Sequence, residues 1–131
     1  MASPVLIYYW GLSNLKSNPV ASDITLSSIE EAKIWEKEFG LGKPRVKEIN
    51  PYQYIGYLYC SYKNEPNSIK CKTSYPGFSL AAFSVREQVR EQVQGKGNTV
   101  WQFTWASYSV WATKNWNIHQ LLATYSETYD R

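Results

Sequence analysis

The sequence predicts an α+β protein, with a four-stranded antiparallel sheet in β-α-β-β-α-β (ferredoxin-like) order and a C-terminal extension. Two segments with helical spacing and capping signals alternate with segments rich in β-branched and aromatic residues, which favour strands. The chain has 131 residues and is 44% hydrophobic, which suits one domain with a substantial core. We therefore expect a single α+β domain over residues 1–131.

The first two elements of this order are a strand and a helix. Residues 4–11 are apolar on both alternating faces, which is typical of a strand buried on both sides. Ser27 and Glu30 have the spacing of a capping box, and apolar residues then recur near helical period up to Gly40. Gly40 suits the left-handed end of a helix, so a helix is predicted over 28–39.

A hairpin follows the basic loop after the first helix. Residues 53–62 are aromatic and β-branched, strong turn residues come next, and 68–74 return as a partner strand. If Lys63 pairs with Ser68 across the turn, Cys60 lies opposite Cys71, with Cα atoms about 4.5–5.5 Å apart. The two cysteines are therefore a disulfide candidate. A disulfide would indicate an oxidising compartment and a secreted protein. The alternative is two buried thiols in a cytoplasmic protein.

The second half of the sequence predicts another helix, followed by strand segments and a C-terminal extension. Ser84 and Glu87 have capping-box spacing, and a valine stripe at every fourth position leads to Gly95, so a helix is predicted over 84–94. Tryptophan and phenylalanine then alternate with smaller residues, which predicts a strand. The predicted segments are a strand at 99–106, a second short strand at 108–112 and an extension at 115–129 that fits either a helix or a strand.

Both faces of this predicted sheet carry apolar or aromatic residues, whereas two helices cover only one face. The second face then needs the C-terminal segment, a ligand or a second subunit, and we expect a homodimer. One alternative is a dimeric α+β barrel that encloses a pocket for a small apolar organic ligand, with His119 as a base.

Charge and motifs favour binding over catalysis. Residues 41–72 hold six basic residues against two acidic ones, whereas 98–126 carry only Lys114. His119 is the only histidine, and no nucleophile motif, phosphate loop or dinucleotide fingerprint is present. We therefore predict no catalytic residues, no metal and no cofactor. The longest apolar run is shorter than the roughly 18 residues of a membrane span, and the first residues show no secretory signal.

Exposed tryptophan and tyrosine side chains are the predicted ligand contacts. Their flat faces and polar atoms suit sugar rings, protein surfaces and nucleobases. The leading hypothesis is a non-enzymatic, lectin-like protein that binds carbohydrate or a protein surface. The alternative on a tyrosine and lysine face is binding of single-stranded nucleic acid. The candidates are Trp111 and Trp116 around a predicted loop, and Tyr57, Tyr59, Lys70 and Lys72 on one hairpin face.

Overall fold

A computed structural model describes residues 4–38, 43–63, 71 and 74–129, and every regular element in that part of the chain is an α-helix. The predicted α+β class is therefore wrong: these residues form no strand, so neither the four-stranded sheet nor the dimeric α+β barrel has a counterpart. The helices are α1 (Pro4–Ser13), α2 (Ser28–Glu38), α3 (Pro51–Lys63), α4 (Phe78–Val93), α5 (Asn98–Asn115) and α6 (Ile118–Tyr129).

Helix α2 lies where capping predicted a helix. The Glu30 backbone N–H donates to Ser27 Oγ at 3.2 Å, and the Ser27 backbone N–H donates to Glu30 Oε1 at 3.2 Å. These reciprocal bonds satisfy two backbone donors at the start of the helix. The capping box is confirmed, and the predicted last residue, 39, lies outside the described residues.

Helix α4 covers the second predicted helix, 84–94, up to Val93, and begins six residues earlier. Ser84 is buried inside the helix, where its hydroxyl donates to the Leu121 carbonyl at 2.9 Å, so its predicted role as a helix cap is wrong. The helix instead follows Gly77, whose φ of 80° favours glycine. A Cβ at Gly77 would lie 2.5 Å from the Arg45 carbonyl oxygen. The predicted valine stripe is confirmed as core.

The predicted first strand, 4–11, is wrong because these residues belong to α1. A segment that is apolar on every side has no periodicity to distinguish a helix from a strand. Tertiary packing decides the outcome here: Gly11 lies against α5, where a Cβ would overlap the Ser107 side chain.

The predicted strand over 53–62 is also wrong, since these residues lie in α3. Asn50 Oδ1 accepts from the Gln53 N–H at 2.8 Å, and Gln53 Oε1 accepts from the Asn50 N–H at 2.9 Å. Pro51 takes the first helical position, which needs no N–H donor. The predicted return strand falls mostly outside the described residues.

The strands predicted at 99–106 and 108–112 are one helix, α5. Trp101 and Trp105 are four residues apart, and their rings stack with centroids 5.3 Å apart. That contact is typical of the i,i+4 spacing on a helix face. The alternation of aromatic residues therefore reflects two faces of a helix.

Of the two alternatives for 115–129, the structure shows a helix, α6. Its start repeats the motif of α3: Asn117 Oδ1 accepts from the Gln120 N–H at 2.8 Å, and Gln120 Oε1 accepts from the Asn117 N–H at 2.9 Å. Leu121 and Leu122 are fully buried.

Helix α5 is the centre of the fold. It packs against α4 on one side and α1 on the other, while α6 packs on α4 and α2 packs on α6. Helix α3 contacts α1 and, through fewer residues, α5. The main core lies among α4, α5 and α6, and a smaller cluster joins α3 to the rest through Tyr8, Ile49, Phe78 and Val110.

The segment between α1 and α2, residues 14–27, has no regular structure and crosses α4; we call it the strap. Gln88 Oε1 accepts from the Val20 N–H at 2.8 Å, and Gln88 Nε2 donates to the Val20 carbonyl at 3.0 Å. Gln92 makes the same kind of paired contact with the Lys16 N–H at 3.0 Å and the Ser17 carbonyl at 2.9 Å. Two side-chain amides therefore satisfy strap backbone groups that a neighbouring strand would otherwise pair.

Candidate ligand-binding groove

A groove of about 370 Å³ lies where α3 meets α1 and α5. The side chains around it are aliphatic or aromatic apart from one serine, and none carries a charge. The lining residues are Pro4, Ile7 and Tyr8 from α1, Pro51, Tyr54, Ile55 and Leu58 from α3, and Phe103, Ala106, Ser107 and Val110 from α5.

Helix α3, which forms one wall of the groove, has a fixed contact near each of its ends. Before its first turn, the Ile49 N–H donates to the buried Thr113 Oγ1 at 3.2 Å. Near its last turn, Cys60 forms a disulfide with Cys71, with Cα atoms 5.9 Å apart. The hairpin from which we expected this pairing is not the reason for it, since Cys60 lies in a helix.

Two tyrosines supply hydroxyl groups in an otherwise apolar wall. Burial raises the pKa of Tyr8 to about 12, and the nearby Tyr9 and Tyr108 contribute further. Burial also raises the pKa of Tyr54 to about 12, with a contribution from Tyr57. Within the described ranges, neither the Tyr8 nor the Tyr54 hydroxyl has a hydrogen-bond partner. Both tyrosines line the groove and are neutral at neutral pH.

These pKa values predict a loss of stability at alkaline pH. A tyrosine of the unfolded chain ionises near pH 10, whereas Tyr8 and Tyr54 in the fold ionise near 12. The unfolded chain therefore loses protons first, and the free energy of unfolding falls as pH rises from 10 towards 12. Urea unfolding across this range measures the fall.

Phenylalanine variants identify the groups responsible. Tyr8→Phe and Tyr54→Phe should each flatten the alkaline decline, because phenylalanine has no proton to lose. Tyr62→Phe is the matched control, since Tyr62 is 90% exposed. A control that flattens the decline as much as the groove variants would contradict the assignment.

The two tryptophans predicted as ligand contacts, Trp111 and Trp116, do not line the groove. Residues 113–115 are helical rather than a loop. Trp116 is only 7% exposed, and Trp111 is half-buried with ring contacts to Tyr108 at 5.4 Å and Trp116 at 5.8 Å. The predicted exposure of this pair is therefore wrong, because both side chains pack in or against the core. These two tryptophans therefore do not form the exposed carbohydrate-binding surface that we expected.

The tyrosine and lysine face predicted for the hairpin is not present as a sheet face. Tyr57 packs inward, with its ring 4.4 Å from that of Phe78, whereas Tyr59 is 63% exposed and has Lys63 Nζ 6.0 Å from its ring. On a helix these two tyrosines diverge, because successive alternate positions are about 200° apart. Lys70 and Lys72 lie outside the described residues.

His119 takes part in a link between two helices. Its Nδ1 lies 2.7 Å from Glu31 Oε2, which connects α6 to α2, and the imidazole is mostly exposed. Among the described residues, no group of three His, Cys, Asp or Glu side chains is placed to hold a metal ion. No helix within these ranges combines the length and apolar character needed to cross a bilayer.

Sequence reasoning missed the groove residues because all three contributing segments were interpreted as strands. One signal in the sequence does mark them: α1, α3 and α5 contain no acidic residue and only two lysines, Lys63 and Lys114. Three helices with only two charged side chains, both in a last turn, leave an uncharged surface where they meet. That composition, rather than aromatic spacing, indicates the site.

The chain matches no family of known proteins, no curated protein sequence and no solved structure.

Proposed function

We propose that this protein binds a small, apolar, uncharged organic molecule in the groove between α1, α3 and α5. The observation that supports this is an apolar cavity of about 370 Å³ with no charged lining residue. That volume lies within the roughly 300–1,000 Å³ of small-molecule sites, which are mostly apolar with a few polar groups. A small-ligand pocket was also one of the alternatives the composition suggested, although on a different fold.

The lining defines the chemistry of the ligand. A charged group would lose its hydration without a counter-ion, at a cost of several kcal/mol, so the ligand is neutral. Aliphatic and aromatic walls suit a ring or a short hydrocarbon. The Tyr8 and Tyr54 hydroxyls suit one hydrogen-bonding group, such as a ketone, ether or alcohol.

Binding of the neutral fluorescent probe N-phenylnaphthylamine tests this proposal. Ile55 lies at the groove mouth, where it is 49% exposed and also lines the cavity. Ile55→Glu should weaken probe binding by about tenfold or more, because it places a carboxylate beside an apolar ligand. Fluorescence titration in solution gives the dissociation constant.

Ile29→Glu is the matched control, since Ile29 is an exposed isoleucine on α2, outside the groove lining. It should leave the probe dissociation constant unchanged, while Ile55→Leu should keep binding near the original value. Equal affinity for Ile55→Glu and the unmodified protein would overturn the proposal. A loss shared by both glutamate variants would assign probe binding to general surface contact.

The expected homodimer stays a prediction. Sedimentation of the purified chain tests it, independently of the groove.

A further inference from the structure

Two helices beside the groove expose large apolar side chains to the outside of the molecule. Helix α1 contributes three of them and α3 contributes five, with exposures from 45% to 90%, and two of those on α3, Ile55 and Leu58, also line the groove. We call the other six the aromatic surface: Leu6, Tyr9 and Trp10 on α1, and Tyr52, Tyr59 and Tyr62 on α3. Isolated exposed apolar side chains are ordinary, but six on two contacting helices form a patch that marks an interaction site.

The residue types on this surface suit one kind of partner. Five of the six are tyrosine or tryptophan, whose rings are apolar and whose O–H or N–H groups are polar. Such side chains concentrate at the boundary between lipid headgroups and hydrocarbon. Helix α1 supports the same conclusion, because it is apolar on every side and, among the described residues, its Tyr9 and Trp10 side chains stay exposed.

The charged residues near the aromatic surface indicate the sign of the partner's charge. Neither α1 nor α3 contains an acidic residue, and Lys63 closes α3 with its ammonium group 6.0 Å from the Tyr59 ring. Lys43, Arg45 and Lys47 add positive charge to the segment that leads into α3, against one acidic residue there, Glu48, although Arg45 lies near the Trp35 ring and Lys47 near the Tyr75 ring. Basic side chains next to interfacial aromatics are attracted to anionic headgroups.

We infer that the aromatic surface docks onto an anionic lipid bilayer, with α1 and α3 lying along the interface. The rings of Tyr9 and Trp10 enter the headgroup region, while Lys63, beside Tyr59, contacts lipid phosphates. The groove mouth, marked by Ile55, then faces the bilayer. This docking is independent of whether the groove holds a ligand.

Co-sedimentation of the purified chain with lipid vesicles tests the inference. We expect binding to vesicles of phosphatidylcholine with phosphatidylserine, and much weaker binding to phosphatidylcholine alone. The variant Tyr9→Ser/Trp10→Ser should lower the partition coefficient by about tenfold or more, because two rings no longer enter the interface. Lys63→Gln should lower it by a few-fold on anionic vesicles and have little effect on neutral ones.

The matched control removes two exposed apolar residues elsewhere. Val20 and Ile29 are 74% and 71% exposed and lie outside α1 and α3, so Val20→Ser/Ile29→Ser should bind vesicles as the unmodified protein does. Circular dichroism confirms that each variant keeps its helix content.

Three results would overturn the inference: no binding to anionic vesicles, equal binding by the Tyr9/Trp10 variant, or equal binding to neutral and anionic vesicles. A solution dimer that the Tyr9/Trp10 variant dissociates, with no vesicle binding, would assign the surface to a second copy of the chain. Probe binding to the groove is measured without lipid, so either proposal can fail alone.

Discussion

Replacing Gly11 with alanine should lower the free energy of unfolding by about 3 kcal/mol, as overpacking does where two helices are in close contact. The new Cβ would overlap the Ser107 side chain and lie 2.9 Å from the Phe103 carbonyl oxygen, a backbone atom that cannot rotate away. Helix α1 must then move away from α5, which also displaces one wall of the groove. Urea unfolding followed by circular dichroism measures the loss.

Gly56 provides the matched control, because it too is a glycine within a helix. A Cβ at Gly56 would meet the Tyr75 hydroxyl at 2.5 Å, but that oxygen is at the far end of a side chain that can turn aside. Gly56→Ala should therefore cost less than about 1 kcal/mol, since alanine also favours the helix. Combining Gly11→Ala with Ser107→Gly should recover part of the loss. Equal effects of Gly11→Ala and Gly56→Ala would show that α1 and α5 are not in close contact.

Reducing the disulfide between Cys60 and Cys71 should also lower the free energy of unfolding substantially. The bond closes a segment with a sequence separation of 11, and the loop-entropy relation then gives about 3 kcal/mol of stabilisation. Urea unfolding with and without a thiol reductant measures this. Probe binding should weaken as well, because the bond anchors the helix that carries Ile55.

The double variant Cys60→Ser/Cys71→Ser is the control for side effects of the reductant. It should unfold at the lower urea concentration of the reduced protein, and added reductant should not shift it further. An unmodified protein whose midpoint is the same in both conditions would contradict a stabilising role for the bond.

Some helices were predictable from local signals and others were not. Helix α2 has a capping box at Ser27 and one periodic apolar face, so sequence reasoning identified it. Helices α1 and α5 bury or expose apolar residues on several faces, which removes the period on which such reasoning depends. For α3 the signal existed: Asn50, Pro51 and Gln53 are a cap, a first-turn proline and the reciprocal acceptor. The strand prediction for this segment follows from its aromatic content, which favours strands, and does not use the cap.

The groove was less predictable than the helices. Its walls come from segments far apart in the chain, such as Tyr8, Tyr54 and Phe103, and no local pattern shows that they meet. The expected site residues follow from residue type alone, and residue type does not determine exposure. Trp116, for example, lies between two helices and packs in the core. The absence of acidic residues in α1, α3 and α5 was the more informative signal.

The way the strap is held has a consequence for how this sequence can change over time. Gln88 and Gln92 bond to backbone groups of the strap, so these contacts depend on the position of the strap backbone and not on its side chains. Exposed strap positions such as Val20 are then free to accept new residues, whereas Leu15 is buried in the core and Ser27 caps α2. The constraint falls on α4, where only an amide offers both a donor and an acceptor at the required reach. Relatives of this chain should therefore differ at such exposed strap positions and keep the two glutamines four residues apart.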